Sequence, residues 1–224
     1  MNRDVALRVD VPKLSLSVAL KKATADLHTR AEKHPAQARM VGGRATRDEY
    51  GAFLVQMAAL HACLEPALQK LVKDVPALRG VLRPHHFRQA AANADLRAIG
   101  HQPKSDELLQ PTSRFCERLQ ALSRRDPVAL LGVLYVLEGA TNGGKFIAAA
   151  VRPTLSLPDG IGTAYLEPHG PLQHERWSQF RASVDEQTLS SAEQAAVIAA
   201  ACETFEAVYE ILEGLNSTHR LEPA

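Results

Sequence analysis

Several common signatures are missing from this chain, and each absence narrows the field. Aromatic residues make up only 5% of its 224 positions, and alanine- and leucine-rich segments dominate; that balance favours helices over a β-sandwich. The three cysteines, Cys63, Cys116 and Cys202, stand far apart with no CxxC pair, a spacing that offers neither a zinc-binding set nor a disulfide framework. A reduced thiol set is expected. Charge of one sign is not in excess either. Lys and Arg number 26 against 25 Asp and Glu, a formal charge of +1, so there is no long-range pull toward nucleic acid or an acidic membrane surface. Apolar runs stay short of the roughly 20 residues that a membrane span needs. Residues 1–13 carry mixed charges without an apolar stretch, unlike a secretory signal, and a cytoplasmic location is expected. Strand-like alternation, internal repeats and low-complexity tracts are also missing.

What is present is helical periodicity. Leu16, Leu20, Ala23, Leu27 and Ala31 recur at three- and four-residue intervals, which predicts a helix from about Ser15 to His34, ended by Pro35. Thr46-Arg47-Asp48-Glu49 is a capping box. It opens a helix to about Lys73 whose apolar face includes Tyr50, Phe53, Leu54, Met57, His61 and Leu64, with Pro66 as a kink. Further helices are expected over about 85–99, 113–124, from Asp126-Pro127 to about Val151, over 173–185, and from Ser190-Ser191-Ala192-Glu193 to a stop at Gly214. The prediction is one all-α domain of seven or eight helices over residues 14–215, between a flexible segment (1–13) and a tail (216–224).

Nine histidines are the compositional excess. One of them, His28, shares a helix face with Lys21, Thr24 and Glu32. Lys21 lies two turns earlier, about 10 Å along the axis, so a flat anionic ligand would meet His28 at its centre and Lys21 at its charged edge. Glu32 is placed to accept the second ring N–H and fix the tautomer. A solvated polar flank shows the same spacing. The second unusual segment is Leu137-Glu138-Gly139-Ala140-Thr141-Asn142-Gly143-Gly144, in which three glycines inside a good helix give up about 3 kcal/mol relative to alanine. Gly139 and Gly143 share one side. That side suits either close helix packing or backbone approach to a planar partner.

Together these segments resemble the heme oxygenase family, in particular its bacterial branch that supplies biliverdin to phytochromes. The run from Leu20 to Glu32 is similar to the family's proximal helix and Glu138 to Gly144 to its distal helix. Tyr50 to Leu68 resembles the second long helix, and Tyr165, Gly170 and Trp177 to Arg181 the segment behind the propionate edge. The resemblance covers residues 14 to 213. It implies a single helical domain with heme between two helices, heme being both cofactor and substrate, and O₂ and an external electron donor such as a ferredoxin or reductase as co-reactants. The implied products are biliverdin, Fe²⁺ and CO. His28 would be the iron ligand and Glu32 its orienting partner. Lys21, Thr24, Gly144 and Arg181 would line the heme, and Gly139, Gly143, Thr141 and Asn142 the distal catalytic side. A phytochrome would be a partner receiving biliverdin, and neither nucleic acid nor a membrane is expected.

Two residues depart from the pattern. Ala140 stands where the animal-type branch has an aspartate that organises water, an aspartate the phytochrome-associated branch also lacks, and Asn142 stands where that branch more often has an apolar residue. The alternative they raise is a non-catalytic heme carrier or sensor. A thiamin-degrading hydrolase of related fold lacks its cysteine nucleophile or acidic pocket here. Of the remaining histidines, His61 reads as a hydrogen-bonded core residue. His34, with Pro35 after it, sits at a helix end where a cation suits the dipole. His85, His86, His101, His169, His174 and His219 fall in turns, helix edges or the tail. Trp177, Phe180 and Arg181 read equally as a core anchor and as a propionate contact.

Overall fold

The computed structural model describes residues 14–104 and 106–220, apart from the side chains of 219 and 220. The segments expected over 1–13 and at 221–224 lie outside the described residues. Nine α-helices and short 3₁₀ turns make up the described fold, without a strand: α1 (Leu16–Glu32), α2 (Pro35–Val41), α3 (Arg47–Leu71), α4 (Pro76–Val81), α5 (Gln89–Ala98), α6 (Gln110–Arg125), α7 (Leu130–Thr154), α8 (Gln173–Asp185) and α9 (Ser191–Arg220). The all-α single-domain expectation holds, with one or two more helices than expected.

Local chemistry sets most of the boundaries. The Thr46 hydroxyl accepts the Glu49 amide at 3.1 Å, and the Glu49 carboxylate accepts the Thr46 amide at 2.8 Å. Ser190 and Glu193 repeat that reciprocal cap at the start of α9. Other boundaries correct the reading. Pro35 does not merely end α1; it is the first residue of α2, where its missing N–H costs nothing. His34 is the cap of that helix, fully buried, and its Nδ1 accepts the Ala36 amide at 3.2 Å. Asp126 makes no side-chain cap; the chain enters α7 through a 3₁₀ turn at 127–129. α9 runs through Gly214 to Arg220, so residues 216–220 are helical and not a tail.

Two expectations from composition also need correcting. α3 is long and apolar enough to cross a membrane by length and composition alone. Its apolar side chains are committed elsewhere: Tyr50, Leu54, Leu60, Leu64 and Leu68 are buried, and the helix packs on α5 and α6. That packing also brings Cys63 of α3 and Cys116 of α6 to a Cα separation of 5.7 Å, and they form a disulfide, leaving Cys202 as the free thiol among the described residues. A pairing across 53 positions leaves no local spacing signal.

Buried polar groups tie the helices together. Glu65 of α3 accepts the Arg88 and Gln89 amides at 2.5 and 2.8 Å, and so caps α5 from outside it. Its partner His61, one turn earlier, is buried with Nδ1 at 2.9 Å from the same carboxylate. Asp95 accepts the Ala164 and Tyr165 amides, and Tyr50 donates to the Gly162 carbonyl. These bonds pin the 155–169 loop against the bundle. α7 crosses α9 at very close range, where a Cβ on Gly132 would lie 2.0 Å from the Val197 carbonyl oxygen and 2.8 Å from the Ala201 nitrogen.

Two predictions follow from this packing. Gly132→Ala has backbone to displace on the far side, and should cost about 3 kcal/mol, read as a lowered denaturation midpoint or loss of soluble protein; unchanged stability would mean the crossing is not close. Burial is the main influence on His61 and holds its pKa below the ordinary 6.5, with the Glu65 hydrogen bond pulling upward but not prevailing. The unfolded chain therefore takes up a proton here that the folded chain refuses, so stability is full above about pH 6.5 and falls as pH drops through that value. Urea midpoints measured from pH 7.5 to 5 should decline more steeply in the native protein than in His61→Gln.

Candidate functional site

The His28 imidazole is 55% exposed, with the Glu32 Oε2 at 3.4 Å from Nδ1. Its ring edge rests on Phe205 of α9 at 5.7 Å between centroids. Nε2 makes no hydrogen bond among the described residues. A half-exposed imidazole, backed by a carboxylate on one nitrogen and open on the other, has the form of an axial ligand awaiting a metal. Lys21 and Glu32 lie on this face, and Lys21 is exposed. Thr24 does not join them: it is buried, and its hydroxyl donates to the Leu20 carbonyl at 2.8 Å.

Across from it stands α7. Both α1 and α7 pack along α9 without a substantial interface with each other, and we take the space between them, bounded by α9, as the candidate groove. The two glycines expected to face it behave differently. A Cβ on Gly143 would meet nothing within 4 Å, whereas one on Gly139 would touch the Trp177 indole rim at 3.4 Å. Gly144 faces the other way. Its Cβ would sit 2.1 Å from the Leu166 carbonyl oxygen, so this glycine admits the pinned loop and does not line the groove. Phe146, 60% exposed, continues the open side of α7.

Thr141 and Asn142 face α8. The Thr141 hydroxyl donates to the Glu138 carbonyl at 2.7 Å and accepts from Gln173 Nε2 at 2.6 Å. The Asn142 amide donates to the Gly139 carbonyl, and its oxygen accepts from Gln173 at 3.2 Å. Gln173 thus fixes both side chains.

Arg181 of α8 sits with its guanidinium 5.7 Å from the Trp177 ring centre, and its buried Nε makes no hydrogen bond. An orphaned guanidinium donor over Trp177 is suited to an anionic ligand edge. The start of α1 is clamped to the end of α8 by Ser17, whose amide and hydroxyl both donate to Asp185 at 2.7 Å. Lys21 is one turn from that clamp on α1 and Arg181 one turn from it on α8, which sets two cationic side chains at the same end of the groove. The open His28 nitrogen, the Gly143 opening and the orphaned Arg181 donor together fit a flat macrocycle with a central metal and acidic substituents.

A family model for heme oxygenase matches residues 14–214. The chain belongs to the heme oxygenase family. It is 30% identical over 156 residues to heme oxygenase 1 of Homo sapiens, an alignment covering 67% of this chain and 54% of the human protein; the chain thus spans about half the length of that relative. Heme oxygenase from Leptospira interrogans superposes with a TM-score of 0.82 at 21% identity, covering 90% of this chain and all of that one. Heme oxygenase-2 of Synechocystis, solved with heme and NO, gives 0.82 at 22% identity over 92% of this chain and 86% of that one. These structures share the fold.

Several residues that shape the site escaped the sequence reading. Phe205 is one aromatic of an apolar stripe, and nothing local marks it as the support of His28. Glu138 was legible in principle, because a carboxylate inside the most apolar helix requires a buried partner. That partner is His169, whose Nε2 lies 2.6 Å from Oε1.

Gly143 offers a test with two readouts. Gly143→Ala should stabilise the ligand-free protein by up to about 1 kcal/mol through helix propensity, because the added methyl meets only open space. It should at the same time weaken binding of a planar ligand in the groove. A thermal melt and a hemin titration on the same sample check both, and unchanged hemin affinity would place the ligand elsewhere.

Proposed function

We propose that this chain is a heme oxygenase, binding heme through His28 and cleaving it with O₂ and external electrons to biliverdin, Fe²⁺ and CO. The observation that carries the reading is the half-exposed, carboxylate-backed His28 facing a groove whose opposite helix is open at Gly143. When bound, heme supplies both the iron at which O₂ is reduced and the carbon ring that is cut. His28 would hold the iron through Nε2, while the Glu32 carboxylate accepts from Nδ1–H and so fixes the tautomer. An imidazole ligand lacks the electron push of a thiolate, which would favour O–O cleavage over attack on the ring. Lys21 and Arg181 would hold the acidic edge of the group by their positive charges. The bare backbone at Gly143 would give a low ceiling that carries no acid or base, with the Trp177 rim beside Gly139, and ordered water beside Thr141 and Asn142 would be the proton source.

The reading extends, on resemblance alone, to an electron donor such as a ferredoxin or a reductase, to a phytochrome as the acceptor of biliverdin, and to a cytoplasmic setting. A second reading, a heme carrier or sensor without turnover, draws support from the distal side. Ala140 offers no polar group, and Gln173 already engages Thr141 and Asn142.

Hemin titration should give a histidine-ligated Soret band that is lost in His28→Ala, and Glu32→Ala should weaken binding by about 10–100-fold. Reductant under oxygen should then convert the complex to biliverdin with release of CO. Bound heme that survives those conditions would favour the carrier, and a Soret band unchanged in His28→Ala would exclude this ligand.

A further inference from the structure

The side of α7 turned away from the groove carries a second cluster of ligating groups. His85 and His86, in the 3₁₀ turn at 84–86, and Glu138 of α7 place one ligand atom each within 4.8 Å of one another. The His85 and His86 ring centres are 4.5 Å apart, and His85 is 5.1 Å from His169. His169 holds the Glu138 Oε1 at 2.6 Å, and no donor among the described residues takes Oε2. The His86 Nε2 is buried without a hydrogen-bond partner in a side chain only 5% exposed. An unpartnered ring nitrogen beside a carboxylate is costly in a core, and a bound ligand would remove the cost.

We infer that His85, His86 and Glu138 form a site for a divalent transition ion of the zinc type, with His169 positioning the carboxylate. Two imidazoles and one carboxylate are a known ligand set for such ions, leaving further positions open. Contraction by up to about 1.4 Å brings ligand atoms that lie within 4.8 Å of one another to the roughly 3.4 Å that tetrahedral metal–nitrogen bonds of about 2.1 Å require. An open pocket of about 320 Å³ adjoins the histidines and gives a path from solvent, and Arg83 and Arg176 on its wall favour an anion or hydroxide as the remaining ligand. One bond must change. His86 Nδ1 accepts the Arg83 amide at 3.1 Å, which puts the proton of the neutral ring on Nε2. Metal at Nε2 displaces that proton, Nδ1 becomes a donor, and the amide of the exposed Arg83 turns to water.

The inference does not rest on the heme reading, and heme-free, chelator-treated full-length protein tests it. Calorimetric titration with Zn²⁺ should show one ion per chain, and Co²⁺ in the same site should give ligand-field bands that Zn²⁺ abolishes. His86→Ala and Glu138→Gln should each weaken Zn²⁺ binding by about tenfold or more, and His169→Phe by a similar factor through the carboxylate it orients. His28→Ala and His174→Ala should leave it unchanged. Two measurements on the native sequence guard against variants that fail to fold. X-ray absorption of the Zn²⁺ adduct should show two imidazoles, and hydrogen exchange should show the Arg83 amide losing protection on metal addition. Absence of a Zn²⁺ isotherm, an adduct without imidazole, or binding lost in His28→Ala but kept in His86→Ala would overturn it.

Discussion

The crossing of α7 over α9 at Gly132 is the contact on which the rest of the architecture hangs. With no side chain at 132, the backbone of α7 comes up to Val197 and Ala201 more closely than any other residue type allows. Past the crossing, the two helices leave room for α2. α1 lies on another part of α9, held at its start by the Ser17–Asp185 clamp and lower down by the His28–Phe205 contact. The groove is therefore not carved into a core. It is the space between two helices that share a third as their support. That arrangement explains how a site can be open while the chain beneath it is densely packed.

The same logic explains which features were readable from sequence. Caps and breakers act within four residues, so Thr46-Glu49, Ser190-Glu193 and the limits of α8 were legible. His28 with Lys21 and Glu32 was legible because helical spacing maps directly onto a face. Thr24 was misplaced by the same rule: it lies far enough around the helix to be buried, where its hydroxyl turns back to Leu20. Gly144 shows the limit more sharply. Three glycines in a helix announce close approach, but not of what. Gly143 opens on the groove, Gly139 meets an indole, and Gly144 receives the backbone of a loop. The loop is held there by Asp95 and Tyr50, about 70 and 110 positions distant. The Cys63–Cys116 pairing is the extreme case, since only the packing of α3 on α6 brings the two sulfurs together.

α7 consequently carries two chemistries on opposed sides. One side is bare backbone at Gly143; the other carries the buried Glu138 and Thr141, bonded to His169 and Gln173, with the half-buried Asn142 also held by Gln173. The buried side is the more constrained. Burial pushes the Glu138 carboxyl up, yet the His169 hydrogen bond and the nearby His86 and Arg88 outweigh it and hold the group below its usual range. Arg88 also donates to the Leu137 carbonyl, from a turn that Glu65 caps and His61 supports. A chain of polar contacts thus runs from α3 through the 84–89 turn to the carbonyl two residues before Gly139.

A helix that admits glycine at 139, 143 and 144 has surrendered much of its own stiffness, and must be held by its surroundings if its backbone is to present a fixed surface. Apolar packing alone would leave it free to slide, because dispersion contacts are not directional. The buried bonds to Glu138, Thr141, Asn142 and the Leu137 carbonyl are directional, and they grip the helix on the side where grip does not obstruct the groove. The polar residues that sit so uncomfortably in an apolar helix and the glycines beside them are therefore one device: the first fix in place what the second leave bare.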